Sequence, residues 1–286
     1  AVRPLLPLLA PGLEAGPALE EIRRRTLDEC DYHLEARNLA VLSEHFEGHP
    51  FVWVPHPIPE LTTKRVLTME RARGRSFAAM KRLPRAERDR ISEILFRFYW
   101  GTLHRRGFTS ADPHPGNYLL MDDGRMAFLD FGLACEVPPE HGKGLRQLLV
   151  ALADGDADEV MEHAVAMGYV SRPERTDPET LLAYLRFALA PIAEDRDYEF
   201  TRDYIAERTA SMIDPRHPWW HFVRRLNLPP WAVHVYRLEI GLFAVMAQLG
   251  ARGNWHRVTM ELCGERQPET DLGRAEAQWA RDRLTA

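Results

Sequence analysis

Cysteine is scarce: Cys30, Cys135 and Cys263 are too few, too scattered and odd in number for a disulfide framework or a zinc-ligand pattern. That scarcity points to structural thiols in a reducing, cytoplasmic compartment. A secretory leader is missing as well, because "AVRPLLPLLAPGLEAG" is broken by prolines and has no uninterrupted apolar run. One stretch is long and hydrophobic, "WAVHVYRLEIGLFAVMAQLG" at residues 231–250, but Arg237 and Glu239 near its middle would be costly in hydrocarbon. It reads as a buried helix. Positive charge is not in excess, and a net charge of -5 gives no global reason to expect nucleic-acid binding. Internal repeats and low-complexity segments are also missing.

What remains is an ordinary globular composition, 45% apolar and 28% charged, in a chain of 286 residues. Such a length buries a sizeable core and suits one large domain or two lobes. From Glu20 to about His45 the apolar residues Ile22, Leu27, Leu34, Leu39 and Leu42 recur at helical spacings, as two segments or one kinked one. "FVWVPHPIPEL" is proline-punctuated and extended, and "KRVLTMERARG" reads as a strand running into a turn.

A helix is expected over residues 86–106, with Ile91, Leu95, Phe98 and Thr102 on one face and Gly107 as terminator. "YLLMDDGRMAFLD" reads as a hairpin around Asp-Asp-Gly. Beyond about residue 139 the pattern is helical. Asp156 and Asp177-Pro178 are helix openers, Gly168 a terminator, and Pro229-Pro230 and Gly250 bracket a further long helix.

The chemistry concentrates in "SADPHPGNYLLMDDGRMAFLDFG", residues 110–132. Phosphoryl transfer needs an Asp to orient or deprotonate the attacking hydroxyl, and oxygen ligands to hold Mg²⁺ against nucleotide phosphates. In kinase-like folds an Asp-x4-Asn loop comes first, a short hairpin follows, and Asp-Phe-Gly comes next. Asp112, Asn117 and Asp130 stand in that order. Asp-Phe-Gly alone is a weak signal and Asp-Pro alone is usually a turn, whereas the ordered combination is much more specific. His114, alone between prolines, reads as a turn residue and not a metal ligand.

"ADPHPGN" together with "LDFG" resembles the UbiB/AarF family of atypical kinases, also called the ADCK family. "ECDYHLEARN", Glu29 to Asn38, is similar to that family's ExD motif and the Glu of its αC helix, and "VLTMERARG" resembles the strand and hinge between its lobes. The resemblance implies an α+β, protein-kinase-like two-lobed fold, with residues 1–72 a partial small lobe and hinge and 73–286 a mostly helical large lobe. It implies ATP and Mg²⁺ as cofactors, with Asp130 and Asn117 as metal ligands and Asp112 in the catalytic loop. Glu35 would pair with a nucleotide-binding lysine, Glu29 and Asp31 would form the ExD pair, and the backbone of Glu70 and Ala72 would meet adenine. The implied setting is isoprenoid-quinone or lipid metabolism, with a lipid or quinone-precursor ligand and peripheral contact at the cytoplasmic membrane surface.

Each assignment has a plainer competitor. Taken alone, Glu29, Asp31 and Glu35 are the solvated face of an amphipathic helix. The basic run "RARGRSFAAMKRLPRAERDR" is a solvated surface before it is a lipid-headgroup contact, and the tryptophans, including Trp219-Trp220, pack the helical region before they line a lipid or quinone-like pocket.

The sequence also departs from the family. No lysine precedes Lys64, no glycine-rich phosphate loop precedes Glu29, the KxGQ motif is absent, and Ser110 stands where His is frequent. An N-terminally clipped piece of a longer protein is favoured over a degenerate relative. A catalytically inactive pseudokinase acting as a nucleotide- or lipid-binding regulatory module is the runner-up, and an aminoglycoside-kinase-like enzyme is a third reading that lacks the "DPHPG" wording.

Overall fold

In this computed structural model the described residues are Glu20, Arg23 and 31–285. Helix α1, Tyr32–His45, is opened by Asp31, whose carboxylate accepts from the His33 N–H at 3.1 Å, and it buries Leu39 and Leu42. Its last carbonyls are met from far along the chain: Arg283 donates to the carbonyls of Glu44, His45 and Glu47. A cation at a helix C-terminus both caps its free carbonyls and complements its dipole.

Three short strands form the main sheet. Strand β1, Val52–Trp53, runs parallel to β4, Met126–Phe128, which pairs antiparallel with β3, Tyr118–Leu120. The expected hairpin is present, and Gly124 takes a φ of 83° at its tip. Helix α2, Phe77–Met80, packs on β3. Strand β2, Phe108–Ser110, pairs antiparallel with β5, Ala134–Glu136.

The strand expected in "KRVLTMERARG" does not form. Val66 and Met69 make only isolated bridges, to Thr63 and Pro57, and two backbone bonds tie the segment to residues 56–58. Pro57 and Pro59 have no N–H to extend a ladder, and the Thr62 hydroxyl, accepting from the Thr68 N–H, takes the place of a main-chain partner.

Residues 85–106 are helical as the spacing predicts, but the run is α3, Arg85–Phe96, then a π turn at Arg97–Gly101, then α4, Thr102–Arg106. Gly107, at φ 64°, ends it. The π turn was not visible in the sequence. It places Arg97 wholly inside the protein, where Glu93, Glu261 and Glu276 accept from its guanidinium at 2.7, 2.8 and 3.0 Å. An Arg survives such burial only when every charge is answered, and here three carboxylates answer it.

The remainder is helical, with one exception. Helices α5 (Pro139–Asp154), α6 (Ala157–Ala166), α7 (Pro178–Ala188) and α8 (Ala190–Ala193) are followed by α9 (Arg202–Ile213), α10 (Trp220–Val223) and α11 (Val233–Leu249). Helices α12 (Trp255–Cys263) and α13 (Asp271–Thr285) complete the chain. The exception is a two-residue ribbon, Tyr198–Glu199 against Arg252–Gly253. Asp156 and Asp177 cap α6 and α7, accepting from the Glu159 and Thr180 N–H groups at 2.9 Å. The segment Pro230–Leu249 is long and apolar enough to cross a membrane by length and composition, and half of it is buried within the protein. One hydrophobic cluster runs from Leu39 on α1 to Leu272 on α13, through Phe98, Phe128, Leu242 and Trp255.

Candidate active site

Strand β2 delivers Ser110 beside Asp130, in the loop after β4, and this hydroxyl joins the two halves of the site. It donates to the Asp130 carbonyl at 3.4 Å and accepts from the Asp112 N–H at 3.5 Å. Beside it the Ala111 N–H donates to the Leu133 carbonyl at 3.0 Å. After Asp112 the chain turns through Pro113 and a short 3-10 turn at Pro115–Asn117, opened by the His114 ring, which accepts from the Gly116 N–H at 3.1 Å. His114 is thus a turn residue.

Asn117 links that turn to the hairpin. Its side-chain Nδ2 donates to the Asp112 carbonyl at 3.2 Å, and its own carbonyl accepts from the Leu129 N–H at 2.8 Å. With the amide nitrogen held, Oδ1 is the end left for a ligand. Asp130 Oδ1 accepts from the Gly132 N–H at 3.0 Å. Phe131 is buried, which anchors the carboxylate between two fixed neighbours.

Helix α1 reaches the same place. Glu35 Oε1 accepts from the Phe131 N–H at 3.5 Å, and Asn38 Nδ2 donates to the Phe131 carbonyl at 3.1 Å. Gly132 leaves a gap between carboxylates: a Cβ there would lie 3.4 Å from Glu35 Oε2 and 3.5 Å from Asp130 Oδ1. Asp112, Asn117, Asp130 and Glu35 are therefore drawn together by one hydroxyl, one amide and one helix. Behind them lies Tyr99, fully buried. Its phenol is pushed well above the usual range by burial first, then by its neighbours Tyr118, Asp112 and Asp130.

Two contributors escaped the sequence reading. Arg237 on α11 brings Nη2 to 3.7 Å from Asp112 Oδ1. Its signal was a charge, with Glu239, near the middle of a largely apolar helix. Gly241, one turn further on, lies so close to Pro113 that a Cβ would sit 2.6 Å from the proline Cγ, so α11 buttresses the loop directly. Asn38 lay within the quoted motif without a role.

Other sequence candidates are placed differently. Asp31 is the N-cap of α1, and Glu29 lies outside the described residues. The Glu70 N–H donates to the His56 carbonyl at 3.0 Å, while its carboxylate accepts from the His56 N–H at 2.9 Å. Ala72 is half-buried on the strap that follows, and neither residue is hydrogen-bonded to the Asp112–Asn117–Asp130 group among the described residues. No group of three or more His, Cys, Asp or Glu side chains forms a metal-ligand cluster among them. The oxygens that face each other across Gly132 are the carboxylates of Glu35 and Asp130. Carboxylate oxygens, with the Asn117 carboxamide nearby in the chain, are the hard donors that would suit Mg²⁺.

Residues 4–164 match the ABC1 atypical kinase-like domain. The chain belongs to this family, the UbiB/ADCK family. Within it, the chain is 27% identical over 248 residues to "Atypical kinase COQ8B, mitochondrial" of Rattus norvegicus, covering 85% of this chain and 46% of the relative. It is 34% identical over 145 residues to "Protein ACTIVITY OF BC1 COMPLEX KINASE 8, chloroplastic" of Arabidopsis thaliana, covering 49% of this chain and 19% of that protein. The ABC1 chain thus spans between about a fifth and a half of these curated relatives. Among solved structures, a Mycobacterium tuberculosis protein in complex with erythromycin matches with a TM-score of 0.71 and 26% identity, over 93% of this chain and 66% of that one. The mixed, mostly helical fold agrees with a kinase-like domain.

Proposed function

We propose that this ABC1 domain is a Mg²⁺-dependent, ATP-binding atypical kinase or ATPase. What supports the reading is the Ser110 and Asn117 hydrogen bonding that ties the main chain of Asp112, Asn117 and Asp130 together, with Glu35 bonded to the adjacent Phe131 N–H. Asp130 and Asn117 Oδ1 are the groups that hold the cation. When bound, Mg²⁺ neutralises charge on the transferring phosphate. Asp112 accepts the proton of, or orients, an acceptor hydroxyl or water, and Arg237 holds its carboxylate in place. Glu35 steadies the Asp130-Phe131-Gly132 backbone through the Phe131 N–H, and in the family pattern it meets the nucleotide-binding lysine. The backbone near Glu70 and Ala72 is the adenine side of the cleft. The setting we assign is isoprenoid-quinone or other lipid metabolism with peripheral membrane contact, in line with the family resemblance.

The test is ligand stabilisation. Mg-ATP at about 100 times its Kd should stabilise the native protein by about 2.7 kcal/mol. Asp130→Asn should remove most of the resulting rise in Tm, and Asp112→Asn should keep the rise while losing turnover. No rise with the unaltered protein would overturn the nucleotide reading. A rise without phosphate release by the unaltered protein would leave a nucleotide-binding regulatory module in its place.

A further inference from the structure

We propose that α13 is a strap that sets the position of α1 and, through it, of the Asp130-Phe131-Gly132 turn, so that Trp279 and Arg283 are positioning residues for the candidate nucleotide site. The consequence for Mg-ATP rests on the function proposed above, whereas the coupling of α13 to the turn does not.

Helix α1 meets the site near its first turn. Glu35 and Asn38, three residues apart and so on one face, hold Phe131 from both sides: Glu35 Oε1 accepts from its N–H at 3.5 Å, and Asn38 Nδ2 donates to its carbonyl at 3.1 Å. The helix has only a narrow buried face, made by Leu39, Leu42 and Ser43. Its placement therefore depends on what holds its ends.

The far end is held by α13. Trp279 Nε1 donates to the Glu47 carbonyl at 3.1 Å, and its ring packs edge-on against His45 and His49, with centroids 5.6 and 4.4 Å away. Arg283 Nη1 donates to the carbonyls of Glu44, His45 and Glu47 at 3.2, 2.6 and 3.3 Å, and its guanidinium lies over the Trp279 ring at 5.3 Å. The last carbonyls of a helix have no partner within it, so a cation there satisfies them and meets the negative end of the dipole.

The root of α13 is anchored elsewhere. Glu276 pairs with Arg97 at 3.0 Å and Arg105 at 3.2 Å, and Gly273 is pressed so close that a Cβ would lie 2.5 Å from Arg97 Nη2. Past Glu276 no described side chain of α13 is buried, and Leu284 is 89% exposed. The outer half of α13 thus reaches out from the helical region to clasp residues 44–49. Because α1 is a stiff rod of 14 residues, about 21 Å long, a shift at the clasped end tilts Glu35 and Asn38 against Phe131.

The test compares the full chain with Arg283→Met, Arg283→Lys and Trp279→Phe, by amide hydrogen exchange without ligand and then by titration with Mg-ATP. Arg283→Met should speed exchange over residues 32–45 and 128–133 by about fivefold, leave residues 91–96 unchanged, and weaken Mg-ATP binding by about fivefold. Arg283→Lys, which keeps a cation for the same carbonyls, should restore both to within about twofold. Trp279→Phe keeps an aromatic ring and loses the Nε1–H bond, so it should give the same pattern at smaller amplitude. Faster exchange confined to residues 44–49 and α13, a uniform rise that includes residues 91–96, or unchanged Mg-ATP affinity beside faster exchange at 128–133 overturns the proposal. If the unaltered protein binds no Mg-ATP, the nucleotide reading fails and the exchange pattern alone decides whether α13 positions the turn.

Discussion

Arg237 holds its guanidinium 3.7 Å from the Asp112 carboxylate, although one belongs to the long apolar helix α11 and the other to the loop after β2. Both side chains are partly solvated, at 53% and 31% exposure, so the pair adds little to stability, under about 1 kcal/mol. Its effect should fall on orientation. Arg237→Met should leave the urea midpoint nearly unchanged and lower kcat for ATP hydrolysis by about tenfold, an effect within the reach of positioned acid–base groups. An unaltered kcat would remove Arg237 from the site.

Gly132 makes a separate prediction, because a methyl there meets only ordinary contacts, with Glu35 Oε2 at 3.4 Å and Asp130 Oδ1 at 3.5 Å. The fold should therefore tolerate Gly132→Ala. The methyl would occupy the space between the carboxylates, and Mg-ATP affinity should drop by about tenfold, the equivalent of about 1.4 kcal/mol. Thermal titration with Mg-ATP reads both quantities, and full affinity in the variant would place the cation elsewhere.

Gly241→Ala should behave in the opposite way. Its Cβ would lie 2.6 Å from Pro113 Cγ, and either α11 or the Asp112–Asn117 loop must move. Overpacking of this kind costs about 1–3 kcal/mol. Denaturant unfolding and turnover should fall together, and a variant as stable and active as the parent would refute the close packing.

Acid should weaken the fold over a wide interval. His45 is lowered from 6.5 to about 4 by burial first and then by Arg106 and Arg283, and burial likewise lowers His49 and takes His104 to about 3. Burial would raise Glu276, but His49, Arg105 and Arg97 outweigh it and bring the carboxyl from 4.5 down to about 2. All four bind protons less readily when folded, so the unfolded chain takes up protons first as pH falls. Stability from the histidines should be complete above about pH 6.5 and decline below it, and that from Glu276 should be lost between about pH 4.5 and 2. Urea midpoints at pH 7, 5.5 and 4 check the sign; stability rising toward acid would contradict it.

The site was half legible. Asp112, Asn117 and Asp130 announce themselves because a loop, a two-strand hairpin and a tripeptide are contiguous in the chain, and the caps at Asp156 and Asp177 depend only on the next three residues. Glu70 and Ala72 were harder to place, because what the strap after residue 63 does depends on where Pro57, Pro59 and Thr62 leave it without ladder partners. Arg237 could be noticed as a misfit charge but not assigned.

Local backbone chemistry, then, was enough to determine the hairpin, the helix boundaries at Gly107 and Gly250, and the order of the oxygen-bearing side chains, since each depends on neighbours a few residues away. Tertiary structure alone decided which remote charge faces Asp112, how Arg97 is answered by three carboxylates, and that Trp279 and Arg283 close over the end of α1. Those outcomes follow from the packing of helices far apart in the chain, where contact is set by shape and burial across the whole core and no short stretch carries the information.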